Sequence, residues 1–479
     1  MSDTITYEIT IGMETHAELR TKSKMFCGCS AEFGGEPNSH VCPVCMGLPG
    51  SLPAPNARAI AFVVRTAMAL HCQINSPTIF HRKNYFYPDL PKAYQISQYG
   101  DSPIGTHGYI DVTVKGETRR IGIHRVHLEE DTGKLFHNPG DVSSLVDYNR
   151  CGVPLMEIVS EPDIHSPEEA QEYAKTLRNI LVYLGVSDGK MEEGSFRCEP
   201  NISIHQPGTP LGTRTELKNL NSFRVLLKSA EAEIKRQEQV IRAGGAIQQA
   251  TLRWDEANGV TTPMRFKENE ADYRYFPDPD LVPLEFSAEY LAEQRDALPE
   301  LPTEKSARFV RDYGLSAYDA DVLTSERPMA EYFEAAAKAA GDPKAAANWV
   351  TGQLLANLNA EGHDITETKV RAEDLGAMIR LIGDGTISGK IAKTVFDEMF
   401  QTGKPPRQIV DEKGLVQVSD EGAIEAIVEQ VLAAHPDEAA RFRGGEEKLM
   451  GFFVGQVMKA SKGKANPGLA NSVLKKKLS

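Results

Sequence analysis

The chain has no apolar run of membrane-spanning length, and its opening Met1-Ser2-Asp3-Thr4 lacks the basic and apolar segments of a secretory leader. A cytoplasmic protein, with no membrane partner, is therefore expected. No Walker A loop occurs. The stretch Gly385-Thr386-Ile387-Ser388-Gly389-Lys390-Ile391 is one residue short and ends without the Ser or Thr that would face a metal ion. There is no dinucleotide G-x-G-x-x-G and no H-E-x-x-H helix, and no serine nucleophile elbow is expected. Internal repeats and heptads are missing as well, as are low-complexity tracts beyond Ala-rich helical stretches. These absences set aside serine hydrolysis and the common nucleotide-binding loops. Excess positive charge is also lacking: the formal net charge is −14, which argues against binding nucleic acid over the whole surface. The exception is the C-terminal end, where Lys459, Lys462, Lys464, Lys475, Lys476 and Lys477 occur with no acid after residue 450. A contact to a phosphate backbone and a solubilising tail both fit that pattern.

At 479 residues, with 25% charged and 7% aromatic residues, the chain is long enough for two to four ordinary globular domains. Residues 7 to about 286 read as short β-type runs punctuated by Gly, Pro and Asn, among them 7–13, 109–114, 120–128, 154–159, 201–205 and 213–219. Helices are expected at 54–70, at 166–184 behind a Ser-Pro-Glu-Glu capping pattern, and at 223–243. After Leu298-Pro299-Glu300-Leu301-Pro302 the composition turns to Ala, Glu, Lys and Leu, with helices expected at 331–340, 345–359, 372–382, 391–399 and 422–434. A second boundary falls at 401–406. The fold class is α+β: a sheet-rich body followed by an α-helical arm.

Within the body, three stretches carry hard-metal ligands and no nucleophile: Gly12-Met13-Glu14-Thr15-His16, His127-Leu128-Glu129-Glu130-Asp131, and Pro154-Leu155-Met156-Glu157-Ile158-Val159-Ser160-Glu161. Residues two apart share a strand face. Tyr7, Ile9, Ile11 and Met13 would then face a core while Glu14 and His16 emerge opposite, and His127 pairs with Glu129. Glu157 shares its face with Leu155 and Val159, where a carboxylate is costly to bury without a cation or metal. Arg197, Glu199, Asn201 and Ser203 alternate on one face of a run that Pro200 should confine to an edge or bulge. Arg214, Glu216 and Lys218 alternate likewise, and the two cations suit phosphate or carboxylate. Taken singly, each acid also fits a solvated strand residue. Carboxylates with an occasional imidazole suit Mg²⁺, which commonly arrives with substrate phosphates.

Cys27-x-Cys29 and Cys42-x-x-Cys45, twelve residues apart, form a tetrahedral four-cysteine pattern expected to hold structural Zn²⁺. Cys72, Cys151 and Cys198 sit in apolar contexts and are expected as core thiols. Residues 82–98, Arg82-Lys83-Asn84-Tyr85-Phe86-Tyr87-Pro88-Asp89-Leu90-Pro91-Lys92-Ala93-Tyr94-Gln95-Ile96-Ser97-Gln98, read as a rigid loop with stacking and hydrogen-bonding groups. Tyr85, Gln95 and Ser97 are its candidates for contacts to a nucleotide or an RNA end.

Several long motifs run in order through the chain: Ile11-Gly12-Met13-Glu14-Thr15-His16, Lys24-Met25-Phe26-Cys27-Gly28-Cys29, Cys42-Pro43-Val44-Cys45-Met46-Gly47-Leu48-Pro49-Gly50, residues 82–98, Leu128-Glu129-Glu130-Asp131-Thr132-Gly133-Lys134, 154–163, 213–223, Asp272-Tyr273-Arg274-Tyr275-Phe276-Pro277-Asp278-Pro279-Asp280 and Gly463-Lys464-Ala465-Asn466-Pro467. With them the chain resembles, over essentially its whole length, the B-subunit family of the heterotrimeric aspartyl/glutamyl-tRNA(Asn/Gln) amidotransferases. The resemblance implies a cradle-shaped catalytic domain over 1–294, a helical domain over 295–402 and a small YqeY-like, tRNA-binding tail domain over 403–479. It implies a ligase that uses ATP to phosphorylate the side-chain carboxylate of Glu or Asp on mischarged tRNA, with ammonia then displacing phosphate. It further implies an amidase A subunit that makes the ammonia from glutamine and a small C subunit; the absence here of an amidase-type Ser-Ser-Lys set agrees. By resemblance Glu14, His16, Glu129 and Glu157 match the Mg²⁺ site, Lys83 and Lys92 match positions near the mouth of the ammonia passage, and the four cysteines match the zinc-containing branch. Cys198-Glu199-Pro200-Asn201 departs from the usual Cys-Asp-Ala-Asn, which leaves Glu199 a secondary candidate. Two rivals stay open: a free-standing ATP-dependent carboxylate–amine ligase acting on a small molecule, and a noncatalytic RNA-binding subunit.

Overall fold

Strict alternation builds the first strand. In β1 (Glu8–Glu18), Ile11, Met13, Thr15 and Ala17 are buried on one face while Glu14 and His16 emerge on the other. There follow α1 (Ala57–Ala69), β2 (Gln73–Ile74), β3 (His81–Asn84), β4 (Tyr94–Ser97), β5 (Gly105–Val114), β6 (Glu117–Glu130), β7 (Lys134–His137), β8 (Ser144–Asp147) and β9 (Pro154–Ser160). Then come α2 (Pro167–Tyr183), β10 (Phe196–His205), β11 (Thr215–Lys218), α3 (Phe223–Arg242), β12 (Ala250–Asp255), β13 (Val260–Phe266), β14 (Phe276–Pro277) and α4 (Ala288–Asp296). The computed structural model describes residues 6–98, 102–137, 143–266, 273–417, 420–461 and 464–478; of the residues quoted above, Met1-Ser2-Asp3-Thr4, Asp272, Lys462 and Gly463 lie outside them.

Nine strands form one sheet in the order β13-β12-β11-β10-β1-β9-β6-β5-β2, antiparallel throughout except for β11 beside β12. One face packs on α1, α2 and α3 in a continuous core that includes Ile11, Met13, Leu128, Ile158, Tyr173 and Leu226. The helices start where capping chemistry dictates: Ser166 accepts from the Glu169 amide with Pro167 at the first position, and Ser222 accepts from the Val225 amide. Each such cap is worth ~1 kcal/mol.

Two expectations about this body fail. Pro200 lies inside the sheet, opposite Met13, and not at an edge. It is tolerated because β11 pairs with β10 only at Asn201 and Ile202, so no ladder partner meets Pro200 on that side. Residues 82–98 are not one loop: β3 and β4 pair from His81 with Ser97 to Asn84 with Tyr94, and only the segment holding Pro88 and Pro91 loops out between them. In addition, Gly185-Val186-Ser187-Asp188-Gly189 does have G-x-S-x-G spacing. Ser187 is buried at 1% exposure and follows helix α2 where an elbow would follow a strand, so it offers no nucleophile.

The chain divides into two units, Met1–Leu301 and Pro302–Ser479. The second is helical: α5 (Pro302–Tyr313), α6 (Ala317–Leu323), α7 (Arg327–Ala340), α8 (Pro343–Asn348), a π-turn (Trp349–Leu354), α9 (Leu355–Glu361), α10 (Ala372–Gly383), α11 (Gly389–Thr402), α12 (Pro406–Lys413), α13 (Glu421–Ala434), α14 (Pro436–Arg443), α15 (Leu449–Ala460) and α16 (Pro467–Leu478). The helix expected at 345–359 is thus interrupted by the π-turn. Sequence periodicity missed α5 because, apart from Pro302, it commits a single residue, Phe309, to full burial. Residues from α13, α15 and α16 share a separate core around Ile424, Phe453 and Val473. Two of the tail lysines are already paired there: Lys476 with Glu421, and Lys477 with Glu425 and Glu429. Among the described residues no helix is long and apolar enough to cross a membrane.

Candidate active site

The polar face of the sheet carries the site. Strand register lines up His16 on β1, Glu157 on β9 and His127 on β6 as direct cross-strand neighbours. A β-bulge between Ile123 and Arg125 makes this possible. Before it Ile121 and Ile123 face the core, after it Val126 and Leu128 do, so Arg125, His127 and Glu129 turn to the opposite face. His16 Nε2 lies 3.2 Å from Glu157 Oε2, 3.6 Å from Glu129 Oε1 and 3.9 Å from Glu14 Oε1. His127 Nε2 stands 3.6 Å from both Glu129 Oε2 and Glu157 Oε2, and Arg125 Nη2 is 3.2 Å from Glu157 Oε1. Ser97 Oγ donates to Glu129 Oε2 at 3.0 Å.

On the other flank, Glu14 faces Glu199 across β1 and β10, and Lys218 bridges Glu199 and Glu216. Thr251 Oγ1 donates to Glu216 at 2.9 Å, fixing the far side of that chain. Two ligand triads result, Glu14–His16–Glu199 and His16–Glu129–Glu157, sharing His16. The cleft between them is lined by five carboxylates (Glu14, Glu129, Asp131, Glu157, Glu199) and three permanent cations (Lys83, Arg197, Lys218). Carboxylates gathered this closely, with His16 among them, would favour a divalent cation entering together with an anionic substrate. The donor set of carboxylates and one imidazole fits a hard ion such as Mg²⁺.

The electrostatics record the same crowding. Burial, then the charge of Glu157, pushes the Glu14 carboxyl up to about 7. Burial disfavours the charged imidazole of His16, but its hydrogen bond to Glu157 and the charges of Glu157, Glu129 and Glu14 outweigh that and raise it to about 9. Glu157 is held well below the usual carboxylate range despite burial, by His127 and His16. Lys83 and Lys218 are likewise raised against the pull of burial, Lys83 by Tyr275 and Glu129, Lys218 by Glu199 and Glu216.

The structure thus gathers Glu14, His16, Glu129, Glu157, Glu199, Lys83, Gln95 and Lys218 around one cleft, with Ser97 behind Glu129. Gln95 also donates from Nε2 to the Glu130 carbonyl at 2.8 Å. Three candidates stand elsewhere. Arg214 is exposed and precedes β11, so it does not share the face of Lys218 at the cleft. Tyr85 packs edge-on to Tyr273, whose ring lies 4.9 Å from the Lys83 ammonium. Lys92 turns away to bond Glu130 and lines a neighbouring cavity with Phe26, Val44, Leu48 and Tyr94. Sequence reasoning missed Arg125, and it placed His127, Asp131 and Arg197 in ligand-bearing or polar runs without naming them as site residues. The signals that could have found them were alternation, which sets Arg125 and His127 with Glu129 and Arg197 with Glu199, and for Asp131 its place in the acid run.

Beside that cavity the thiols of Cys27, Cys29, Cys42 and Cys45 lie within 4.8 Å of one another. Cys42 and Cys45 Sγ are 3.9 Å apart. A tetrahedron with Zn–S bonds of ~2.3 Å has edges of ~3.8 Å, so the set fits zinc. The fully buried Lys24 places its ammonium 3.8 Å from Cys45 Sγ and offsets part of the thiolate charge. Cys151 and Cys198 are buried core thiols, while Cys72 is only partly covered.

The fold and site define a class: residues 9–292 match the GatB/GatE catalytic domain and residues 331–478 match the GatB domain. The chain belongs to the family of aminoacyl-tRNA amidotransferase B subunits, components of a ligase. Similar relatives include the B subunit of the aspartyl/glutamyl-tRNA(Asn/Gln) amidotransferase of Carboxydothermus hydrogenoformans, 53% identical over 477 residues (98% of this chain, 99% of the relative). The B subunits of the same name from Solidesulfovibrio magneticus and Moorella thermoacetica are each 55% identical, covering 98% of this chain and 99% and 100% of the relatives.

Proposed function

We propose that this chain is the transamidating subunit of a cytoplasmic heterotrimer, working with an amidase A subunit and a small C subunit on tRNA mischarged with Glu or Asp. The observation that carries the reading is the pair of ligand triads sharing His16 in a chain of this family. Glu14, His16, Glu129 and Glu157 would hold Mg²⁺, with Glu199 completing the nearer flank. A magnesium ion bound there would neutralise charge on the transferring phosphoryl group. The substrate's side-chain carboxylate oxygen attacks the γ-phosphorus of ATP as the bond to the ADP oxygen breaks, giving an acyl phosphate. Ammonia nitrogen then attacks the acyl carbon, the C–O bond to phosphate breaks, and the nitrogen loses a proton to leave the amide. The products are Gln-tRNA or Asn-tRNA, ADP and phosphate.

The chain's own residues bind and orient. Lys218, fixed by Glu199 and Glu216, faces the phosphates; Ser97 sets the rotamer of Glu129; Lys83 and Lys92 order the route by which ammonia arrives. The four-cysteine knob holds zinc as a structural element, and residues 403–479 dock tRNA. Reconstituted with its partners, wild type should release ADP only with Glu-tRNA or Asp-tRNA present, and Glu157→Ala should lower that rate at least ~10²-fold, as loss of several kcal/mol of phosphoryl stabilisation requires. Full ADP release by Glu157→Ala would refute the assignment.

A further inference from the structure

Arg197 is a cation of the cleft with donors to spare. It stands opposite His16 across β1 and β10, so its guanidinium emerges on the acid face two residues from Glu199. Nη2 donates to Asp131 Oδ2 at 2.9 Å. Asp131, itself 3% exposed, is held by the Thr132 amide at 2.8 Å and by Arg150 Nε at 3.6 Å. One corner of the guanidinium is therefore gripped from behind. Its Nε–H is sealed from solvent and has no acceptor. That N–H is out of a ligand's reach, but the side chain is 30% exposed and only Nη2 is hydrogen-bonded, so the Nη1 end of the guanidinium is left to meet an acceptor in the cleft.

The other cleft cations are differently engaged. Lys218 sits between Glu199 and Glu216, and Lys83 lies over the ring of Tyr273. The Asp131 carboxylate already balances the charge of Arg197, so the arginine exerts little long-range pull on a triphosphate. What it keeps is a directional, planar donor edge, which suits a two-oxygen anion.

We propose that Arg197 contacts the substrate, its guanidinium receiving the side-chain carboxylate of the aminoacyl group and holding it beside the His16–Glu157 row while the acyl phosphate forms. This rests on the functional reading above.

The test uses the reconstituted complex with Arg197→Lys, which keeps the charge and loses the fork, and Arg197→Ala with and without millimolar methylguanidinium. Arg197→Lys should lower kcat for charged-tRNA-dependent ADP formation ~10²–10³-fold, as for loss of one oriented donor, with equilibrium binding of MgATP unchanged. Methylguanidinium should restore part of the activity of Arg197→Ala, which a merely structural role would not produce. ADP formation by Arg197→Lys within about threefold of wild type, or weakened MgATP binding at unchanged kcat, overturns the inference alone. A wild-type complex that makes no ADP from charged tRNA overturns the functional reading and the inference with it.

Discussion

Glu157→Gln in the metal-free protein is the sharpest probe of how the acid row works. The substitution keeps the side-chain volume and removes one charge. Glu157 supplies, through its hydrogen bond and then its charge, the largest upward pull on His16, whose imidazole stands at about 9 against an ordinary 6.5. That difference corresponds to about 3 kcal/mol. Folding raises this group's pKa, so its stabilising contribution is complete below the unfolded value near 6.5 and is lost as pH rises through 9. Glu14, raised to about 7, also holds its proton more tightly in the folded state, and that too makes stability fall with rising pH, but below the window in which His16 acts alone. Metal-free wild type should thus lose up to about 3 kcal/mol of unfolding free energy between pH 7 and 9.5, with His16 the main source. In Glu157→Gln burial opposes only the charges of Glu129 and Glu14, so the His16 midpoint should fall well below 9 and the pH slope should flatten. Imidazole NMR titration reads the midpoint, and urea unfolding at the two pH values reads the slope. A His16 midpoint that stays near 9 in the variant would refute the reasoning.

Gly376→Ala tests the second unit, where helix propensity favours Ala by ~1 kcal/mol. The added Cβ would lie 2.5 Å from Ala339 Cβ and 2.7 Å from the Ala340 backbone nitrogen, so α7 and α10 must part. Overpacking of ~1–3 kcal/mol should win, lowering Tm by a few degrees; an unchanged or higher Tm contradicts the packing account. Cys42→Ser should abolish stoichiometric zinc, measured by elemental analysis, and sensitise residues 27–45 to proteolysis while far-UV dichroism of the sheet persists. Wild-type protein purified without zinc would rule the site out.

Much of the site was legible because a strand's face is a local property. Glu14 and His16 fall on the polar face of β1 by alternation alone, and four cysteines at close spacing announce a soft-metal cluster. Register is not local. Alternation through β6 without the bulge would have put Arg125, His127 and Glu129 on the same face as Ile121 and Ile123, in the core. Nor does any neighbouring residue say that Lys92 turns to Glu130, or that β11 begins after Arg214.

By itself the sequence determined the α+β class, the acids and the thiols, since residue type and near-neighbour spacing carry that information, while its long motifs carried the resemblance to the family. Only the tertiary structure decided that His16 joins two triads, that Glu199 belongs to one of them, and that Arg197 stands opposite His16 with a donor unclaimed. Those facts depend on how β1, β6, β9 and β10, more than a hundred residues apart at their extremes, settle against a shared helical core. That packing fixes the register, and the register makes the site.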